Sequence, residues 1–136
     1  MCTNPSRTLT VSVACSPARA LTFITDPRNL PSWAEGLGKS VRSEGGEWYV
    51  AAPAGEVRIR FVAANPFGVA DHWVRVAADQ EIHVPMRVLP NGGGCEVLLT
   101  LFQPATMSAE QFVADIGMIE RDLQRLKKVL EGDMIA

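Results

Sequence analysis

Apolar and polar residues alternate from the first ordered stretch of the chain. Leu9, Val11 and Val13 are separated by Thr10 and Ser12, the period of two that a half-buried strand requires. Ser16-Pro17 then supplies a side-chain cap and a proline at the first helical position. This predicts a short helix through Ala18, Ala20, Leu21 and Ile24, ended by Asp26-Pro27. A second short helix is expected over Asn29-Leu30-Pro31-Ser32-Trp33-Ala34, started by Asn29 or Ser32 and closed off by Gly36 and Gly38.

From Lys39 to Gln103 about five strand-like runs are separated by turn signals. These fall at Gly45-Gly46, Pro53-Ala54-Gly55, Asn65-Pro66-Phe67-Gly68, Ala77 to Gln80, and Pro90 to Gly94. Connections this short favour an antiparallel meander. After Pro104, Ser108 is read as the cap of a long helix, with Gln111 as its capping-box partner. Phe112, Ile116, Ile119, Leu123, Leu126 and Leu130 recur at intervals of 4, 3, 4, 3 and 4, so they share one helical face. The stripe lasts fewer than about four heptads, which predicts a helix packed on the sheet and not a coiled coil. Gly132 is its natural stop. Gly117 costs ~1 kcal/mol there relative to alanine, and leaves room either for something bound or for a close strand.

Strand registers follow from requiring apolar residues to meet apolar residues, because a one-residue slip sends every side chain to the wrong face. Val57, Ile59 and Phe61 then point inward opposite Ala52, Val50 and Trp48, and Val50 opposes Val41. The same rule pairs Phe61, Ile59 and Val57 with Ala70, His72 and Val74, and pairs Val76, Val74 and His72 with Ile82, Val84 and Met86. On the outer face Asp71 falls between Arg60 and Arg87, Arg75 opposes Glu56, and Trp73 lies between Arg58 and Pro85. The last strand turns Val97, Leu99 and Leu101 inward and Leu98 and Phe102 outward.

Composition narrows the class of protein. With 136 residues, 47% of them hydrophobic and 21% charged, the chain suits one soluble globular domain over 1–136. Fifteen acidic against 13 basic side chains give a net charge of -2, which supplies no electrostatic reason for nucleic acid or an anionic membrane as partner. Cys2, Cys15 and Cys95 are odd in number and never form a C-x-x-C pair, so neither a disulfide framework nor a zinc site is signalled; reduced thiols in a cytoplasmic protein are expected. The apolar run ending at Val13-Ala14-Cys15 is too short and too interrupted for a signal segment. No stretch approaches the ~18 apolar residues of a membrane span.

Three segments carry a resemblance. They are Asp26-Pro27-x-x-Leu30-x-x-Trp33, Asn65-x-Phe67-Gly68-Val69-x-Asp71-His72-Trp73, and Val84-Pro85-Met86-Arg87-Val88 leading into Gly94-x-Glu96-Val97. In this order and spacing the chain resembles, over nearly its whole length, the SRPBCC or START-like superfamily, in particular its small bacterial members grouped with polyketide cyclases. The resemblance implies an α+β helix-grip fold: a curved antiparallel sheet of about six strands wrapped around a long C-terminal helix, with two short helices after the first strand. It also implies a cavity between sheet and helix, used across relatives for lipids, sterols, hormones, polyketides or protein partners. The residues that carry catalysis in aromatic cyclases have no one-to-one match here.

Within that frame the candidate ligand-binding residues are Trp33, Trp48, Ile59, Phe61, His72, Met86, Leu99, Phe112 and Ile116. His72 is the one ionisable group on an otherwise oily face, expected between Ile59 and Met86 and kept neutral by desolvation. It suits an orienting or acid-base role toward a carbonyl or hydroxyl, or a core position satisfied by backbone or water. Trp33 and Trp48 serve either as entrance plates or as core. His83 points to the opposite face, so the histidines form no metal pair, and no carboxylate is visibly placed beside them. No phosphate loop, nucleophile elbow, metal or cofactor motif occurs.

The leading expectation is therefore binding of a small, mostly apolar molecule. One alternative is a cyclase- or dehydratase-like enzyme using His72 as acid or base. The other is an interaction module that dimerises through an outer patch of Trp73, Leu98 and Phe102.

Overall fold

Strand β1, Ser6–Val13, buries Leu9, Val11 and Val13 and leaves the residues between them exposed, the alternation expected of it. The structure, a computed structural model, describes residues 1–35, 40–53 and 55–135, the side chains of 133–135 excepted. Lys39, Ala54 and the proposed helix stops Gly36 and Gly38 lie outside the described residues.

Helix α1, Pro17–Ile24, begins where Ser16 accepts the Arg19 N–H on its side chain at 3.2 Å. Asp26 caps a 3-10 turn over Pro27–Asn29 in the same way, and α2, Leu30–Trp33, follows directly. The strands are β2 (Val41–Glu44), β3 (Glu47–Ala52), β4 (Gly55–Phe61), β5 (His72–Ala77), β6 (Gln80–Val84), β7 (Met86–Asn91) and β8 (Gly94–Phe102). The C-terminal helix α3 spans Ala109–Ile135.

All pairings are antiparallel, in the orders β1-β8-β7 and β2-β3-β4-β5-β6. The single run expected across residues 82–88 is divided at Pro85, which has no N–H to give to a ladder. Pro85 still accepts the Thr100 N–H at 3.1 Å, so one stretch of chain passes from one sheet to the other and the two form a continuous curved surface. Gly68 approaches β7 closely: its φ is +74°, its carbonyl accepts the Val88 N–H at 2.8 Å, and a Cβ there would collide with the Val88 carbonyl.

Side-chain parity is as predicted, and three of the four registers are not. Val41 does oppose Val50. The next hairpin closes tighter, at Ala52 opposite Gly55, so Trp48 meets Ile59 and Val50 meets Val57. Across β4 and β5, Phe61 meets His72 and Ile59 meets Val74; across β5 and β6, His72 meets Val84 and Val74 meets Ile82. Each slip is of two residues, an even number, which preserves faces while changing partners. The expected outer pairs change accordingly. Arg75 lies opposite Glu81 while Glu56 binds Arg42, and Trp73 stands between Arg60 and His83.

Ser108 caps α3 through the Gln111 N–H at 3.0 Å. The reciprocal half of the capping box is missing, because the Gln111 side chain bonds Asp115 at 2.7 Å. Leu123, Leu126 and Leu130 are fully buried, whereas Phe112, Ile116 and Ile119 are half-buried. The helix is thus seated by its C-terminal half, against β1 and α2. At Gly117 the Arg121 guanidinium alone among the described residues comes within contact of a would-be Cβ, and no described strand approaches it.

Candidate ligand-binding cleft

Trp48, Ile59 and Phe61 project from β3 and β4 to the inner face, and the chain turning from α1 into the 3-10 helix brings Thr25 and Pro27 over them. Together with Val62 and the rim of β3 they enclose a cleft of about 490 Å³. Among the described residues, none of α3 lines it. This cleft lies beside the short-helix segment, while a smaller one of about 270 Å³ opens between β1 and α3, lined by Leu9, Thr10, Glu120, Leu123 and Gln124. Arg58 and Arg60 belong to its edge, yet both guanidinium groups turn to the outer face. Arg58 bonds Glu47 at 2.9 Å, and Arg60 lies 4.5 Å from the Trp73 ring centre.

His72 stands behind the Phe61 wall. Its ring centre is 4.8 Å from that of Phe61, tilted by 41°, and it is only 4% exposed. It neighbours Phe61 and Val84, not the expected Ile59 and Met86. Its Nδ1 lies 3.1 Å from the Ala70 carbonyl. Burial pulls the imidazole down to about 4, against the opposing effects of that hydrogen bond and the Asp71 charge. At neutral pH it is an uncharged hydrogen-bonding group and a poor proton carrier.

The other predicted residues divide into two sets. Met86 and Leu99 pair across β7 and β8 and are fully buried, as is Trp33. These three belong to one core cluster with Ile59, and Trp48, Phe61 and Ile116 pack against it. Phe112 is half-buried outside that cluster. The structure thus brings Trp48, Ile59 and Phe61 to the cleft, places His72 next to it, and puts Trp33, Met86 and Leu99 in the core.

Trp33 Nε1 is buried without a hydrogen-bond partner among the described residues. An unmet buried donor costs about 1–3 kcal/mol. Trp33→Phe removes it while giving up part of the packing, so its unfolding free energy in urea should stay within about 1 kcal/mol of the parent. A loss above about 3 kcal/mol would show that packing alone governs this site.

Asp71 has partners beyond those expected of it, and a second carboxylate, Asp122, was not anticipated from the sequence. Asp71 is 7% exposed and receives the Met86 N–H at 2.9 Å, His83 Nε2 at 2.9 Å, and the Arg87 guanidinium. The Arg87 contact was expected; Arg60 is not a partner, and the His83 contact corrects the expectation that no carboxylate stands beside a histidine. Residues 69–71 precede the regular ladder of β5, so Asp71 reaches diagonally to both sides of Pro85. Burial on its own would raise the Asp71 carboxyl; the hydrogen bonds from Met86 and His83 and the Arg87 charge outweigh it, and the group is held below the usual carboxylate range. Asp122, 3% exposed, accepts the Glu35 N–H at 3.0 Å and Arg125 at 3.4 Å, and Arg125 also donates to the Trp33 carbonyl at 3.2 Å. Burial raises the Asp122 carboxyl, only partly countered by these contacts. An acid beside Leu123 in an apolar stripe, three residues before an arginine, was its available signal.

On the outer face Trp73 is sandwiched between Arg60 and His83, the latter stacked at 4.9 Å and 9°. Leu98 is half-buried and Phe102 is 50% exposed. No group of three or more metal-ligating side chains is assembled among the described residues. Among these residues, no helix is long and apolar enough to cross a membrane.

Residues 5–131 match the family described as polyketide cyclase/dehydrase and lipid transport. No curated protein matches in sequence. Among solved structures, an uncharacterised protein of Bacillus thuringiensis is similar at 17% identity and a TM-score of 0.72, with 93% of this chain and 98% of that one covered. The Aha1 dimer of Colwellia psychrerythraea is similar at 12% identity and a TM-score of 0.71, covering 93% and 96%. DynU16, from the dynemicin biosynthetic locus, shares 17% identity at a TM-score of 0.66, and the match spans 93% of this chain and 47% of that one. At these identities the likeness speaks for the helix-grip fold.

Proposed function

The chain belongs to the polyketide cyclase/dehydrase and lipid transport family, and from that premise we propose that it binds a small, mostly apolar molecule in the cleft walled by Trp48, Ile59 and Phe61. The observation that carries this reading is the cleft itself: about 490 Å³ of space against inward apolar side chains, within the range usual for small-molecule sites. His72 adds a polar anchor behind the Phe61 ring, and Trp33, Met86 and Leu99 belong to the core cluster against which Trp48 and Phe61 pack. Phe112 and Ile116 lie half-buried on α3, outside the lining of this cleft. A histidine that stays neutral down to about pH 4 suits holding a ligand better than moving a proton, which favours binding over cyclase-type turnover.

Native mass spectrometry after incubation with mixed sterols, fatty alcohols and aromatic polyketides tests the proposal. The parent protein should retain a molecule, and Trp48→Ala should weaken that complex about tenfold through loss of one apolar wall. Retention of nothing would refute the reading. Unchanged affinity in the variant would move the site away from this cleft.

A further inference from the structure

The hydrogen-bonding polarity of the anchor is fixed by the backbone. A carbonyl oxygen only accepts, so the contact from His72 Nδ1 to the Ala70 carbonyl at 3.1 Å requires the proton to sit on Nδ1. A neutral imidazole carries one proton, and Nε2 is then left with a lone pair and no hydrogen. The ring is inward-facing, cross-strand from Phe61, and in contact with the aromatic wall of the cleft.

We propose that the molecule taken up in this cleft carries a hydrogen-bond donor, an alcohol or phenol on an apolar body, and that His72 Nε2 accepts from it. This rests on the binding role proposed above and narrows its ligand class. Carbonyls, ethers and carboxylates present lone pairs to a lone pair and are disfavoured. Carboxylates also find no compensating cation inside, because the Arg58 and Arg60 guanidinium groups are engaged on the outer face with Glu47 and Trp73. His72 does not itself line the cleft, so the proposal requires the half-buried Phe61 ring to turn aside.

Calorimetry with 2-naphthol and 2-methoxynaphthalene, a pair that differs by the donor hydrogen, tests this. The parent protein should bind 2-naphthol about tenfold more tightly, and His72→Leu should bring the two to equal affinity. Equal affinity in the parent overturns the donor requirement while leaving the cleft reading intact; binding of neither probe overturns the cleft reading and this one with it. Should His72→Leu fail to fold, the ¹⁵N resonances of the parent's own imidazole decide. Nδ1 must appear protonated and Nε2 bare, and 2-naphthol, but not its methyl ether, must shift Nε2 toward the hydrogen-bonded range. A proton found on Nε2 in the free protein overturns the proposal.

Discussion

Asp71→Ala should lower the unfolding free energy by about 3 kcal/mol, read as an earlier urea midpoint at neutral pH. The carboxylate accepts from the Met86 N–H, His83 and Arg87 at the point where the chain crosses from β6 to β7. Arg87 and His83 are 39% and 47% exposed, so on losing their partner they turn to water at little cost. The Met86 N–H cannot, since its residue is fully buried, and an orphaned buried donor together with the emptied carboxylate site accounts for the loss. Asp71→Asn keeps an acceptor for Met86 and should recover about half. If alanine costs under about 1 kcal/mol, Asp71 does not hold the crossover.

The second large effect is a pH dependence carried by His72. Its folded value of about 4 lies below the ~6.5 of an unfolded chain, so between those limits the unfolded state binds the extra proton. Stability is then complete above about pH 6.5 and falls as pH drops toward 4, in total by about 3 kcal/mol at ~1.4 kcal/mol per unit. Asp71 works in a separate window, because its lowered carboxyl contributes stability above the ordinary carboxylate value and loses it only at still lower pH. Urea midpoints between pH 7 and 4.5 should slope in the parent protein and flatten in His72→Leu. A slope retained by the variant would assign the titration to another group.

What the sequence made legible depends on the range of the interaction. Ser16 and Ser108 cap their helices as read, because a cap is decided within three residues, whereas Asp26, read as a helix end, caps the 3-10 turn and Asn29 makes no side-chain cap. Facing was equally readable, since Leu9, Val11 and Val13 on β1 meet Leu99, Val97 and Cys95 on β8 with the apolar set inward. Partners were not. A hairpin one turn tighter at Gly55 moves Trp48 from Phe61 to Ile59, and nothing in the apolar pattern distinguishes registers two residues apart. Separate two-residue slips in the next two pairings put His72 opposite Phe61 in place of Ile59, and left Trp73 flanked by Arg60 and His83. The cleft's other wall escaped notice because Thr25 and Pro27 read as the end of a helix, and their second task depends on where the whole segment folds back.

The break at Pro85 also divides labour within the sheet. The long helix grips β1, whereas Trp48, Ile59 and Phe61 stand on β3 and β4, across the crossover from that grip. On the proposed binding role, a guest in the cleft would meet β3, β4 and Pro27 and leave the packing of α3 on β1 untouched. Cargo exchange, on that reading, would fall to a different part of the sheet from the one that seats the helix.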